Sequence, residues 1–451
     1  MTETVLAHTE SVCPQCLRRL PATRVAENDN VYLVKACPEH GAFRTVIWRG
    51  LDNYVAWGAR PGAAAPPRGA GPRLEGCPFD CGLCAEHRQH SCCVLVEVTE
   101  RCNLRCPVCF ASAGGTRGDP SQAAIRDWLT ALYATSPDVN LQLSGGEPTV
   151  RDDLPEIIAM AREIGFDFVQ LNTNGIRLSR DPAYARRLAL AGLDCVFLQF
   201  DALDDQRYRV IRGIDLLDAK LAAIDHCRRA RLGVVLVPTL VPGVNTQAIG
   251  ALVDFAARHT PTVRAIHFQP VSYFGRYPRA PDDADRITLP EVMRAIVAHG
   301  GGTLNAADFH PGAAENPYCS FSGSFYVDAD NRLHAAGTDQ ACGCGSAPTR
   351  AAPRDETQHA RQTVARKWAA PAQEAAPSCC PGVSVLSLDA FLAQRRRSLS
   401  ISAMAFQDAW TLDLARLRDC YIHVAHPDHR VIPFCAYNLT AQSGRSLYRA
   451  D

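Results

Sequence analysis

Beyond residue 93, two hydrophobic periods take turns along the chain. Short apolar runs at Val94 to Val98, Asn140 to Leu143, Phe168 to Leu171, Cys195 to Phe200, Val234 to Leu240 and Ala265 to Phe268 read as buried strands. Between and after them, apolar residues recur three and four apart near Ala123 to Ala134, Leu154 to Ile164, Tyr184 to Ala191, Ala219 to Ala230, Thr246 to Arg258 and Leu289 to His299, the pattern of amphipathic helices. Six βα units in series predict an α/β fold, a partial (β/α)6 TIM-like barrel over residues 94–300. Its reactive loops belong at the C-terminal ends of the strands.

The flanks have other patterns. Residues 1–57 hold two turn-rich cysteine knuckles joined through an expected strand at Val31 to Lys35, and read as a small metal ribbon. Residues 58–75 shift to Gly, Ala, Pro and Arg, a linker composition, and 76–93 form a separate cysteine-rich segment. The C-terminal region, 301–451, contains a low-complexity Ala/Pro-rich stretch at 346–378, read as a flexible loop. Strong pattern returns from Phe406 to Cys420, followed by expected strands at Tyr421 to Val424 and Arg430 to Phe434 around a Pro427-Asp428 turn. A turn centred there sets Cys420 opposite Cys435.

Composition narrows the function. Lys+Arg and Asp+Glu each total 47 in 451 residues, so no net field draws the chain to nucleic acid or to an anionic membrane. No apolar run approaches the roughly 20 residues that span a bilayer, and the first ten residues carry no basic and apolar secretory pattern. A cytoplasmic protein is expected. Twenty cysteines in a reducing compartment then imply metal rather than disulfides.

Directly after the first barrel strand, Cys102, Cys106 and Cys109 form C-x3-C-x2-C. Three thiolates on one short loop can hold three irons of a [4Fe–4S] cube and leave the fourth iron open to an outside ligand. In the N-terminal ribbon, Cys13, Cys16, Cys37 and His40 suit one tetrahedral zinc or a rubredoxin-like iron. Cys77, Cys81, Cys84 and Cys92 can saturate an auxiliary [4Fe–4S] cube, with zinc as the alternative. Cys319, Cys342, Cys420 and Cys435 make a further set, in which Cys344 can replace Cys342. One or two auxiliary cubes are therefore expected. Cys93, Cys195 and Cys227 read as packed thiols, His267 as a core or site histidine, and Cys379-Cys380 as a thiol pair on a loop. Ser144-Gly145-Gly146-Glu147-Pro148 after the second strand would let backbone approach a ligand closely, with Glu147 able to accept from an ammonium.

At these residues the chain resembles the radical S-adenosylmethionine enzymes, whose signature is the cysteine triplet followed by a GGE motif. The resemblance implies that S-adenosylmethionine chelates the open iron and yields a 5′-deoxyadenosyl radical. It also implies that Gly145, Gly146 and Glu147 hold the amino group, and that Asn172, Asn174 and Asp201, at the third and fourth strand ends, approach the ribose and reacting centre. More narrowly, the CPxC and CPEHG ribbon, GCPFDCGLC, RCNLRCPVCF, LSGGEPTVRDDLPEII, LNTNGIRL, VPTLVPGVN, FQPVSYFGR, AFQDAWTLDLARLRDC and IPFCAYN resemble the class D radical methyltransferases. These are typified by archaeal pterin methyltransferase-like proteins and related to the tetraether lipid synthases. That family implies alkylation, in the first place methylation, of an unactivated carbon, with methylenetetrahydrofolate as carbon donor and a ferredoxin or flavodoxin as electron donor. The substrate is left open among small molecule, lipid and peptide, and no side chain is assigned as a catalytic acid or base. Rival readings are sp3 carbon–carbon coupling, a radical dehydrogenase of peptides or small molecules, and a non-enzymatic iron–sulfur carrier.

Overall fold

A computed structural model describes residues 3–59, 74–115, 118–312, 314–336, 356–371 and 397–449. Strands β1 (Thr4–Val12), β2 (Arg19–Glu27), β3 (Asn30–Cys37) and β4 (Gly41–Arg49) pair in order as an antiparallel meander, and helix α1 (Leu51–Gly58) follows. The two knuckles fall at the β1–β2 and β3–β4 turns, so one end of the meander carries all four candidate ligands. The opposite end is anchored by aromatic packing. Trp48 packs edge-on against Tyr54, and Tyr54 stacks on Tyr318 with ring centroids 4.2 Å apart.

All six barrel strands predicted from apolar runs are present as β5 (Cys93–Thr99), β6 (Asn140–Gly145), β7 (Val169–Thr173), β8 (Cys195–Gln199), β9 (Gly233–Val237) and, after the two-residue β10 (Thr239–Leu240), β11 (Val263–Pro270). They pair in parallel in the order β5-β6-β7-β8-β9-β11. The predicted helices match α2 (Gln122–Thr135), α3 (Leu154–Ile164), α5 (Pro182–Leu190), α7 (Leu217–Ala230), α8 (Ile249–Arg258) and α9 (Leu289–His299); short α4 (Ile176–Arg180) and α6 (Asp205–Arg212) are additions. Local signals fix their starts. Ser121 Oγ accepts from Ala124 N at 3.2 Å, Asp181 caps α5 ahead of Pro182, and Thr288 with Glu291 forms a capping box for α9. Alternate strand residues such as Leu141, Leu143, Leu171, Val196, Leu198 and Leu236 face these helices and form the main core.

The C-terminal third adds strands to both edges. β12 (Ser320–Val327), β13 (Leu333–Ala335) and β14 (Ser398–Met404) extend the sheet beyond β11, β14 parallel and β12 antiparallel. β15 (Ile422–Ala425) lies parallel to β5, and β16 (Val431–Pro433) turns back on it. The two edges do not pair with each other among the described residues, so the barrel is open.

Two expectations are corrected. The low-complexity stretch 346–378 is not wholly loop, because α10 (Glu356–Trp368) lies inside it. Arg361, Val364, Ala365 and Trp368 recur three and four apart beneath its compositional bias, and Trp368 packs on Phe197 and His267. The tail hairpin is also shifted by one: His423 pairs with Pro433, which leaves Cys420 beyond the strand pairing, and Cys435 sits in a helical turn, Phe434–Tyr437. Residues 342, 344, 379 and 380 lie outside the described residues. No helix among the described residues is long and apolar enough to cross a membrane.

The ribbon docks on the tail through buried charges. Arg24 Nε donates to Asp413 Oδ2 at 2.6 Å, Thr9 donates to Asp413 Oδ1 at 2.7 Å, and Lys35 Nζ donates to Ser11 Oγ and the Ala409 and Trp410 carbonyls at 2.8–3.0 Å. Burial opposes the Asp413 charge, but Arg24 and Thr9 outweigh it and hold the carboxyl below its ordinary pKa. A carboxyl with a depressed folded-state pKa stabilises above its unfolded value and loses that contribution as pH falls. Asp413→Ala is therefore expected to lower stability by about 3 kcal/mol at pH 7. The penalty should shrink below about pH 4. Amide exchange across β1–β4 measures both, and an unchanged exchange rate would refute the ribbon's dependence on this pair.

Candidate functional site

The C-terminal ends of the barrel strands carry four loops that hold one another by backbone contacts. The cysteine loop after β5 is pinned from the far side of the barrel by residues after β11. Cys109 and Arg276 exchange backbone hydrogen bonds at 2.9 and 3.0 Å, and Arg276 Nε donates to the Cys106 carbonyl at 3.0 Å. Gly275 is required there. Its φ is +54°, and a Cβ would lie 2.7 Å from the Cys109 and Phe110 carbonyl oxygens.

On the near side, Gly146 N and Glu147 N donate to the Thr99 and Arg101 carbonyls at 2.8 and 2.9 Å. A Cβ at Gly145 or Gly146 would lie 2.2 Å from the Thr99 or Arg101 carbonyl oxygen. The paired glycines thus admit the approach of the cysteine loop itself, where the sequence had suggested the approach of a ligand. The Glu147 carboxylate is buried and takes four donors: Thr149 N (3.1 Å), Thr149 Oγ1 (2.6 Å), Thr173 Oγ1 (2.6 Å) and Asn174 N (2.6 Å). Only one of these, Asn174 N, reaches Oε2, so the second lone pair of that oxygen is what Glu147 can still offer an ammonium.

Cys102, Cys106 and Cys109 line one cavity of about 450 Å³ together with Gly145, Gly146, Glu147, Asn172 and Asn174. Asn174 Nδ2 donates to Asn103 Oδ1 at 2.7 Å, and Asn172 Nδ2 to Ser144 Oγ at 3.3 Å. Asp201 is placed differently from expectation. It is fully buried behind the cavity wall, paired bidentately with Arg212 at 2.7 and 2.8 Å and accepting from Thr239 N at 2.9 Å. A carboxylate so occupied orients Arg212, which does line the cavity beside Cys106. Burial opposes the Arg212 charge, and the adjacent Asp201 keeps it. Lys220, buried with its Nζ donating to the Asn174 carbonyl at 2.6 Å, is pulled by burial down to about 8. Arg212, Lys220 and Arg276 were missed in the sequence because single basic residues on helices and loops carry no spacing signal.

Among the described residues, one group brings its ligand atoms within 4.8 Å of one another: Cys13, Cys16, Cys37 and His40. His40 Nδ1 lies 3.6 Å from Cys13 Sγ and 3.4 Å from Cys37 Sγ, a set that fits a single tetrahedral ion. Cys77, Cys81 and Cys84 are buried near one another and repeat the C-x3-C-x2-C spacing of the barrel triplet. Cys92 instead lines the cavity, beside Cys93, Arg361 and Glu315. Cys319, Cys420 and Cys435 come together at the open side of the barrel. Arg416 Nη2 and Gln407 N point at the Cys319 and Cys435 sulfurs at 3.4 and 3.3 Å, donors that suit thiolates. Cys195 and Cys227 are fully buried. His267 Nδ1 lies 2.8 Å from Ser402 Oγ, and burial lowers its pKa to about 4, so the ring is neutral.

An open parallel barrel with an under-ligated cysteine triplet at its strand ends defines a radical S-adenosylmethionine enzyme, and the radical SAM superfamily model matches residues 96–256. A family model for the HMPTM N-terminal zinc ribbon domain matches residues 5–49. The chain is 33% identical over 470 aligned residues to 7,8-dihydro-6-hydroxymethylpterin dimethyltransferase of Methanocaldococcus jannaschii, covering 95% of this chain and 93% of that one. It is 29% identical to the GTP 3′,8-cyclase of Chlorobaculum tepidum over 53% of this chain and 76% of that one. Among solved structures, Streptococcus suis SuiB bound to precursor peptide SuiA aligns with TM-score 0.40 and 16% identity, over 46% of this chain and 45% of that one. The chain belongs to the class D radical S-adenosylmethionine methyltransferase family.

If Arg276 and Gly275 hold the cysteine loop as described, Gly275→Ala should cost the reconstituted protein about four iron atoms per chain. Iron analysis with circular dichroism separates this from unfolding; full retention of iron would show that the contact does not hold the loop.

Proposed function

We propose that the chain methylates an unactivated carbon of a pterin inside the barrel, and that its parts divide as a metal ribbon (1–57), a linker (58–75), an auxiliary-cluster segment (76–93), the radical core (94–300) and a second auxiliary-cluster region (301–451). The observation that carries this reading is the cavity that runs from the Cys102–Cys109 loop into the barrel interior, where amides stand among apolar and aromatic residues such as Leu95, Phe197, Val237 and Trp368. Asn140, Gln142, Gln170, Asn172, Gln199 and His267 line it, where such interiors are usually filled by branched apolar side chains. Polar groups placed among apolar and aromatic side chains suit a flat heteroaromatic ring with several N–H and C=O groups.

In this reading Cys102, Cys106 and Cys109 hold a [4Fe–4S] cube that, with S-adenosylmethionine, supplies a 5′-deoxyadenosyl radical for hydrogen abstraction. Gly145, Gly146 and Glu147 present backbone and one carboxylate lone pair to the amino group of S-adenosylmethionine, Arg212 meets its carboxylate, and Asn172 and Asn174 face its ribose. Asp201 positions Arg212. Cys77, Cys81 and Cys84, and Cys319, Cys420 and Cys435 with Cys342 or Cys344, hold auxiliary cubes that pass electrons; Cys92 is the proposed fourth ligand of the first set only if its side chain leaves the cavity. Methylenetetrahydrofolate as carbon source, a ferredoxin or flavodoxin as reductant and a cytoplasmic site complete the proposal, which rests on the resemblance and on the pterin named for the methanogen relative.

Anaerobically reconstituted protein given S-adenosylmethionine and a reductant is expected to release 5′-deoxyadenosine, and Cys106→Ala to abolish release while keeping most auxiliary iron. Product mass decides the reaction: gain of one carbon unit supports methylation, and loss of two hydrogens would replace it with oxidation.

A further inference from the structure

At the floor of the cavity, opposite the cysteine loop, sits a carboxylate for which the mechanism has no use. Glu315 precedes β12 and is buried, lining the cavity beside Cys92 and Tyr421. Its carboxylate accepts from Ser320 Oγ and, at 3.3 Å, from Tyr421 Oη, and from nearby backbone N–H groups. Among the described residues no arginine, lysine or histidine pairs with it. Burial raises the pKa of the Glu315 carboxyl and the Ser320, Tyr421 and backbone donors offset that only in part, so a ligand N–H that reaches it favours the ionised form. The chain also makes room for it: a Cβ on Gly312, another lining residue, would lie 1.9 Å from Oε1 and 2.1 Å from Oε2.

A second, independent feature lies on the wall above. Gln142 and Gln170 are register partners on adjacent parallel strands and line the same cavity. Gln142 Oε1 has only the Cys93 thiol, at 3.6 Å, and Gln170 Oε1 is buried with no partner. A buried amide oxygen without a donor is rare, and it marks Gln170 as a side chain whose hydrogen bonding the closed wall does not complete.

We propose that Glu315 is the specificity-determining residue of the substrate pocket and takes the 2-amino and N3–H edge of a pterin ring, with Gln142 and Gln170 addressing the ring's remaining polar atoms. This rests on the pterin reading above. A carboxylate and a 2-amino-4-oxopyrimidine edge match as two parallel N–H···O bonds. Ser320 and Tyr421 both donate to Oε1, so Oε2 receives one ring N–H and the other displaces the longer, 3.3 Å Tyr421 contact. The seven residues of β5 run roughly 20 Å from the floor at Cys93 to the cysteine loop. With its pyrimidine edge on Glu315, the ring's pyrazine carbons are the end turned toward the cysteine loop.

The test is equilibrium binding of 6-hydroxymethylpterin, read by its fluorescence, to iron-reconstituted full-length protein, with the 2,4-dioxo analogue as competitor. Wild type should prefer the 2-amino ring by at least about tenfold. Glu315→Gln, whose amide can present either a donor or an acceptor, should weaken pterin binding by about tenfold and narrow that preference. Gly312→Ala should weaken binding by pushing the carboxylate off its seat, with circular dichroism confirming the fold. Equal binding of both rings by wild type, or pterin affinity within about twofold of wild type in both variants, would overturn the assignment. The two readings fail separately: wild type that binds both rings alike, or variants that bind as wild type does, sink this inference alone, whereas wild type that binds neither ring sinks the pterin reading and this inference with it.

Discussion

The structure depends on holding three sulfurs still without tying them to one another. A loop of cysteines would find its own conformations, because nothing within Cys102 to Cys109 closes it into regular structure. It is instead clamped between two others, by the Gly275–Arg276 pair on one side and the Gly145–Glu147 turn on the other, and every clamp is a backbone contact or ends on a backbone carbonyl. Backbone clamps leave the side chains unused. That is the condition for thiolates facing a cavity, and it explains why glycines recur at these junctions: each admits another strand's carbonyl at a distance no Cβ would allow.

Charge in the site is arranged in tiers. Asp201, wholly enclosed, pairs with Arg212 and accepts from Thr239 N, and Arg212 lines the cavity, so a buried cation is held at the cavity wall. Glu147 acts likewise, drawing Thr149, Thr173 and Asn174 together and thereby fixing the β7 loop against the β6 loop. A buried ion pair gives little net stability, since desolvation offsets attraction. Its retention here is better understood as orientation of the group that faces the ligand. Glu315 stands apart from this scheme because it has donors but no cation.

How far the sequence could be read follows from which residues carry periodicity. The barrel strands and main helices were legible because the inner sheet residues and the helix faces repeat at two and at 3.6 positions. The cysteine triplet and the ribbon knuckles were legible because metal ligands must be spaced by chain geometry. α10 was obscured by an Ala/Arg-rich composition that resembles disorder although Val364, Ala365 and Trp368 repeat as a helix. Arg212, Arg276 and Glu315 were illegible for a different reason: each matters through a partner more than ten residues away or on another strand, and no local pattern encodes that distance. The glycine pair has a second neighbour that no local pattern encodes, the Thr99 and Arg101 carbonyls of the cysteine loop, beside the cavity that it lines.

An open barrel has two unpaired edges, and the C-terminal third resolves them asymmetrically. It lays β14, β12 and β13 along one edge and β15 and β16 along the other, so each barrel edge gains one parallel strand that is itself backed by an antiparallel one. What closes the gap between the two additions is side chains. Tyr421, just before β15, reaches Glu315, just before β12; Asn316 Nδ2 donates to Asp419 Oδ2 at 3.0 Å; and Cys319 comes near Cys420 and Cys435. Hydrogen-bonded strands could have sealed the same gap, but only by filling the space where the cavity floor now lies. The open side of the barrel, the polar floor and the gathered cysteines are thus three results of one choice of topology, and a change at the Tyr421–Glu315 contact bears on all three at once.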